Sequence, residues 1–142
     1  MGHTEKARAA TSAVIDWIAQ GAAHFPDKLA TIDLHSGRRH SYAVMHDRVG
    51  RIAGHLAALG CIRGDRVAML SLNSSDMLDV QFACWRTGMI YTPLNFRLTA
   101  NELAFMVNDS DAKVFFYDTS LAQVQATLQP MTRVAHWIAL DA

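Results

Sequence analysis

The cation best placed to do chemistry in this sequence is Arg97. It lies in the run Arg86-Thr87-Gly88-Met89-Ile90-Tyr91-Thr92-Pro93-Leu94-Asn95-Phe96-Arg97-Leu98-Thr99. That run reads as a helix end, a strand and the start of another helix. Pro93 has no N–H to give to a ladder, so it is expected to end the strand at its carboxyl side. In parallel α/β sheets ligands collect just outside such strand ends, and a guanidinium there can grip a phosphate with two parallel N–H bonds. The competing reading is a surface arginine paired with a nearby Asp or Glu.

Other residue types give less. The eight glycines form neither G-x-G-x-x-G nor G-x-x-x-x-G-K-[ST], so the usual phosphate loops are missing. Gly50 and Gly54 make a G-x-x-x-G that is expected to pack closely on a neighbouring element. None of the seven histidines forms an i, i+4 pair, and no metal site is expected. Asp76 and Asp79 have the look of paired carboxylates. They fall in the first turns of an expected helix, whose dipole favours a negative charge by roughly 0.3–1 kcal/mol, and that structural role accounts for them. No serine sits in G-x-S-x-G, and Cys61 and Cys84 lack a nucleophile signature. Cys84, between Phe82 and Trp85, is read as a packing residue. Two cysteines far apart do not make a disulfide scaffold, and a reducing cytoplasm is the expected compartment. Arg63-Gly64-Asp65 spells an adhesion tripeptide but sits where a turn is expected. No catalytic residue is assigned.

The elements that must position Arg97 follow from periodicity. Val14, Trp17, Ile18 and Ala22 have helical spacing, ended by Phe25-Pro26-Asp27. Residues 30–34 and 39–42 read as strands around a turn at His35-Ser36-Gly37-Arg38. Ser41 can cap a helix whose apolar face is Tyr42, Met45, Val49, Ile52, Leu56 and Leu59, with Asp47, Arg48, Arg51 and His55 opposite and Gly60 at its end. Val67 to Leu72 suits a buried parallel strand. A helix carrying Leu78, Phe82 and Trp85 closes at Gly88, and Ile90 to Leu94 is the next strand. Thr99 and Glu102 form a capping box, with Leu98 and Leu103 placed as a hydrophobic staple. Val114 to Tyr117 is a strand, 119–128 a helix, and 134–140 a last strand. Strands separated by helices require crossovers, so the fold class is α/β: a mostly parallel sheet with flanking helices. It is expected to be an incomplete part of a larger N-terminal domain, with a flexible tail over residues 1–13 and the domain segment over 14–142.

The chain has 142 residues, room for one domain, with 13 Lys+Arg against 13 Asp+Glu. Zero net charge argues against a nucleic-acid partner. Hydrophobic residues reach 51% and charged ones only 18%, which excludes a disordered chain and suggests that some of the surface is not meant to face water. No run is long and apolar enough to span a bilayer, and the first residues lack a secretory h-region.

The order of features resembles the N-terminal part of the AMP-forming acyl-CoA synthetase (adenylate-forming) superfamily. The matching residues are Phe25-Pro26-Asp27-Lys28-Leu29-Ala30, Ser41-Tyr42, Leu56-Ala57-Ala58-Leu59-Gly60, Gly64-Asp65-Arg66-Val67-Ala68, Asn73-Ser74, Arg86-Thr87-Gly88, Pro93 to Thr99 and Glu102-Leu103. Val44, where the family usually has Glu, and Met89, where Ala is commoner, are departures. The resemblance implies an ATP-, Mg2+- and CoA-dependent ligase that turns a carboxylic acid into an acyl-adenylate and then an acyl-CoA. It implies that Arg97, in Leu94-Asn95-Phe96-Arg97-Leu98, lies near the phosphates of the CoA nucleotide. The family's phosphate loop and catalytic lysine have no counterpart here, so this segment alone is expected to be inactive and to hold no cofactor. Asn95 leans toward fatty-acyl or aryl ligases. The alternative reading is a stand-alone α/β domain that binds a partner synthetase or self-associates as a homo-oligomer through Ile90–Leu94 or Val114–Tyr117.

Overall fold

The structure, a computed structural model, describes residues 15–140. The tail expected over 1–13, and Val14 of the first helix, lie outside the described residues. Helix α1 (Trp17–His24) is capped by the Asp16 carboxylate, which accepts the Ala19 N–H, and ends before Phe25-Pro26-Asp27 as expected. Strands β1 (Leu29–Ile32) and β2 (Arg39–Ser41) form an antiparallel hairpin of their own. Helix α2 (Tyr42–Ala58) starts on the Ser41 hydroxyl, which takes the Val44 N–H. With Val44 in place of an acid, nothing returns the bond.

The main sheet has the order β4-β3-β5-β6, all parallel. Its strands are β3 (Arg66–Leu70), β4 (Ile90–Leu94), β5 (Val114–Asp118) and β6 (His136–Leu140). The α/β class with a parallel sheet and flanking helices is as the sequence predicts. Helices α3 (Ser75–Thr87) and α4 (Ala100–Asp109) follow β3 and β4. Residues 119–128 hold a single 3-10 turn, Thr119–Leu121, and then α5 (Ala122–Leu128).

Strand periodicity explains how the sheet is covered on both faces. Val67, Met69, Val114 and Phe116 point to one side, where they pack with Leu56 of α2 and Val80 and Cys84 of α3. Ala68, Leu70 and Phe115 point to the other, against Leu103 and Val107 of α4 and Leu128 of α5. Phe115 stacks on Trp137 of β6 at 4.4 Å between ring centroids. A third cluster, Ile18, Met45, Val49, Ala53 and Ala83, binds α1, α2 and α3 together.

Two expectations change, and α3 buries a face that its apolar stripe does not mark. Pro93 lies inside β4 opposite Met69, and the ladder continues to Leu94 opposite Leu70. This is tolerated because β4 is an outer strand of the sheet. The Leu78, Phe82 and Trp85 stripe of α3 is not the buried face. Leu78 and Trp85 are exposed and Phe82 half-buried, whereas Asp76, Asp79, Val80, Ala83 and Cys84 are buried. The close approach expected at Gly50 and Gly54 is also absent in part. A Cβ on Gly54 would meet nothing within 4 Å, and one on Gly50 only the Arg86 guanidinium, at 3.5 Å.

Candidate functional site

Because all four strands run parallel, their carboxyl ends share one edge of the sheet. From β3 the chain goes outward to β4, then crosses to β5 on the other side of β3 and on to β6. The direction of winding therefore switches between β3 and β5, the place where open α/β sheets form ligand crevices. A cleft of about 290 Å3 lies there, beyond the ends of β3, β5 and β6. Its lining includes Ser71 and Asn73 after β3, Asp118 and Ser120 after β5, and His35 and Arg38 from the hairpin turn.

The wall of this cleft is an ionic cluster that the sequence does not announce. Asp33, just after β1, accepts the N–H groups of His35, Ser36 and Ser75. Those bonds, that from Ser36 foremost and then Ser75, hold its carboxyl well below the usual carboxylate range. Asp33 thereby occupies the start of α3, where a free anion would otherwise be attracted. Arg38 reaches Asp76 with Nη2 to Oδ2 at 2.6 Å. Arg48 of α2 bridges Asp76 and Asp79, with Nε to Asp79 Oδ2 at 2.6 Å. Asp79 is fully buried, which pushes its carboxyl upward despite Arg48, and its Oδ1 has no partner among the described residues. These carboxylates are not an acid/base pair free to act on substrate. The structural role expected for Asp76 and Asp79 holds, but the arginines supply it together with the helix end. Arg48, read as part of the solvent face of α2, is half-buried in the cluster.

Arg97 is arranged differently. It sits in the loop between β4 and α4 at the same carboxyl edge, and it is exposed. Its N–H donates to Asn95 Oδ1 at 3.0 Å, and its guanidinium lies over the Phe96 ring at 4.8 Å. Just beyond it, the Thr99 hydroxyl accepts the Glu102 N–H while Glu102 Oε2 accepts the Thr99 N–H at 2.9 Å, closing the expected capping box. Bonds from the Thr99 hydroxyl and N–H lower the Glu102 carboxyl from its ordinary value. The surface ion pair considered for Arg97 does not form among the described residues. A cation held in place by local bonds, but with no counter-ion, keeps its full charge for an incoming anion.

The remaining candidates are structural. Burial pushes the Cys84 thiol up to about 12, so it is a core residue and not a nucleophile. Arg63-Gly64-Asp65 is a turn, with Gly64 at φ +89°. Arg86, first residue of the run around Arg97, binds Asp16 at 2.6 Å and ties α3 to the start of α1. Gly88 has φ +74°, and its N–H returns to the Trp85 carbonyl to end α3. Among the described residues no three His, Cys, Asp or Glu side chains gather as metal ligands, and no helix is long and apolar enough to cross a membrane.

A parallel α/β sheet with a crevice at its switch point, and an arginine on the same edge that has no acidic partner among the described residues, is the layout of a ligand-binding α/β domain. Comparison with known proteins gives the family. The AMP-binding enzyme family matches residues 18–142, and the chain belongs to it. It is 34% identical over 129 residues to a long-chain-fatty-acid–CoA ligase of Thermus thermophilus, covering 89% of this chain and 24% of that protein. It is 40% identical over 99 residues to a feruloyl-CoA synthase of an Amycolatopsis species, covering 70% and 20%. The structure resembles a Mycobacterium tuberculosis fatty acyl CoA synthetase at TM-score 0.81 and 32% identity, covering 88% of this chain and 26% of that one. The chain thus spans about a quarter of the length of the relatives it matches.

Proposed function

We propose that residues 14–142 are the N-terminal segment of the large domain of an ATP-dependent acyl-CoA synthetase. The whole enzyme activates a carboxylic acid as its acyl-adenylate, releasing pyrophosphate, and passes the acyl group to the thiol of CoA. The part of the site in this segment is Arg97, which binds phosphate of the CoA nucleotide. The observation that carries this role is an exposed guanidinium with no counter-ion among the described residues, lying over Phe96 on a loop braced by the Asn95 side chain at the carboxyl edge of a parallel sheet. Fatty and aryl acids are the favoured substrates, supported by Asn95 and by relatives named as fatty-acid and feruloyl ligases. The cytoplasm is its compartment, in keeping with two reduced, buried cysteines.

The described residues do not fit Mg2+, since Asp33, Asp76 and Asp79 are held by arginines and backbone N–H groups. In this reading Mg2+ and the phosphates of ATP are held by the rest of the ligase, and the segment alone is expected to be catalytically silent. Two assays test the reading. The isolated chain should give no ATP–pyrophosphate exchange above a protein-free control. In the full-length ligase, Arg97→Ala should raise KM for CoA about tenfold, and an unchanged KM would remove Arg97 from the site.

The self-association alternative loses one of its two surfaces. Strand β5, with Val114–Tyr117, is paired on both sides by β3 and β6 and cannot be an edge interface. Exposed Ile32, Leu34, Leu72 and Leu78 remain as apolar surface around the hairpin and α3.

A further inference from the structure

The ionic cluster at the cleft wall has two layers. In the outer layer Asp33 and Arg38 face each other across the hairpin, Asp33 accepting the Ser75 N–H and Arg38 binding Asp76. Two residues deeper into the hairpin, on the same face, stand Thr31 and His40, which are partners in its register. Three residues on from Asp76, on the same side of α3, stands Asp79. A step of about 6.6 Å along the strand and about 4.5 Å along the helix carries the Arg38–Asp76 contact inward to His40 and Asp79. His40 is close enough for its charge to act on the Asp79 carboxyl.

The outer layer has every carboxylate oxygen bonded, and the inner layer does not. Thr31 Oγ1, His40 Nδ1 and Asp79 Oδ1 are buried without a partner among the described residues. Asp79 is fully buried, and Arg48 takes only its Oδ2. Across both layers Asp33, Asp76 and Asp79 face two guanidiniums, those of Arg38 and Arg48, so one negative charge is in excess. Other titratable groups nearby are engaged or lie outside. On α2, His46 meets Arg86, Asp47 pairs with Arg51, and His55 is exposed. Tyr91 of β4 lies beside Cys84, while His35 and Asp118 line the cleft.

We infer that the inner layer is a proton site: one proton from solvent sits on Asp79 Oδ1 and is donated to His40 Nδ1, fastening the cleft's hairpin wall to α3. His40 keeps its own hydrogen on Nε2, and Asp79 Oδ2 keeps its bond from Arg48. Without that proton, Asp79 Oδ1 and His40 Nδ1 are two acceptors served by the single hydroxyl hydrogen of Thr31. The proton removes the excess charge and satisfies both atoms together, where an unmet buried polar group is costly. Burial of Asp79, which pushes its carboxyl upward, works in the same direction. The inference is independent of the reading of Arg97.

The test follows the 142-residue chain by NMR from about pH 8 to about pH 4, with 13C at the aspartate carboxyls and 15N at the histidine rings. As pH falls, the Asp79 carboxyl should be the first aspartate to take up a proton, and His40 Nδ1 should shift at the same midpoint. His40→Phe removes the acceptor and should weaken proton binding at Asp79 about tenfold. His40→Gln, whose amide oxygen accepts the same bond, should restore it. Asp79→Asn has the shape of the protonated acid and should abolish the shift at His40. Separate midpoints for Asp79 and His40 overturn the inference, as does an Asp79 midpoint unmoved by His40→Phe. A His40 ring that carries its hydrogen on Nδ1 throughout the titration also overturns it. Should His40→Phe fail to fold, the common midpoint in the unaltered chain decides by itself.

Discussion

Two groups of arginines at one end of this molecule have opposite fates. Arg38 and Arg48 are drawn into contact with Asp76 and Asp79, and together with Asp33 they join hairpin, α2 and α3. Arg97, on the same edge of the sheet, has no acidic partner among the described residues and is held by Asn95 and Phe96 alone. The difference teaches where charge is taken up by the fold and where it is left exposed. Carboxylates taken out of water demand cations, and removing one partner is far more costly than the pair's own net contribution. A cation on a short, locally bonded loop costs the fold little and stays available.

The contrast can be broken most directly at Arg48. Arg48→Met leaves the buried Asp79 without its cation and should lower stability by about 3 kcal/mol, read as a shift in the urea midpoint of the chain. Combining it with Asp79→Leu should restore most of that loss, because no unpaired charge is then buried. If the single variant shifted the midpoint by less than about 0.5 kcal/mol, the cluster would be ornamental.

Asp33 sharpens the comparison through pH. Its carboxyl is depressed in the folded chain, so its contribution is complete above the unfolded value of about 4 and is lost as pH falls through the folded value. Asp79 has the opposite sign, since its raised carboxyl favours the folded state when protonated. Asp33→Asn should therefore lower stability at neutral pH and flatten its decline in acid, as measured by urea unfolding at a series of pH values.

Smaller effects belong to the Arg97 side. Thr99→Ala removes the cap of α4 and should cost about 1 kcal/mol, visible in thermal unfolding. Arg97→Ala should leave stability within about 0.5 kcal/mol while raising KM for CoA in the full-length ligase. A clear loss of Tm in that variant would place Arg97 among the structural arginines and erase the distinction.

Much of this arrangement was legible before any coordinates. The face of α2 built by Met45, Val49 and Leu56, the stop at Gly60, the strand around Val67–Leu70 and the Thr99–Glu102 box all follow from local rules and are all present. The place of Arg97 was legible too, because strand, loop and capped helix are consecutive in the chain. Helix α3 was not. Its apolar stripe Leu78-Phe82-Trp85 points outward, and its buried side carries Asp76 and Asp79. Hydrophobic periodicity cannot identify a buried face that contains carboxylates, since their burial depends on arginines 28 to 38 residues away.

The sequence by itself determined the elements, their caps, the α/β class and the family, because these depend on side-chain period, backbone chemistry and the order of short motifs. Tertiary structure alone decided which face of α3 is buried, which arginines are paired with carboxylates and which have no such partner among the described residues, and that Pro93 stays within an outer strand. Those outcomes rest on desolvation and pairing between distant segments, and only folding brings the partners within reach.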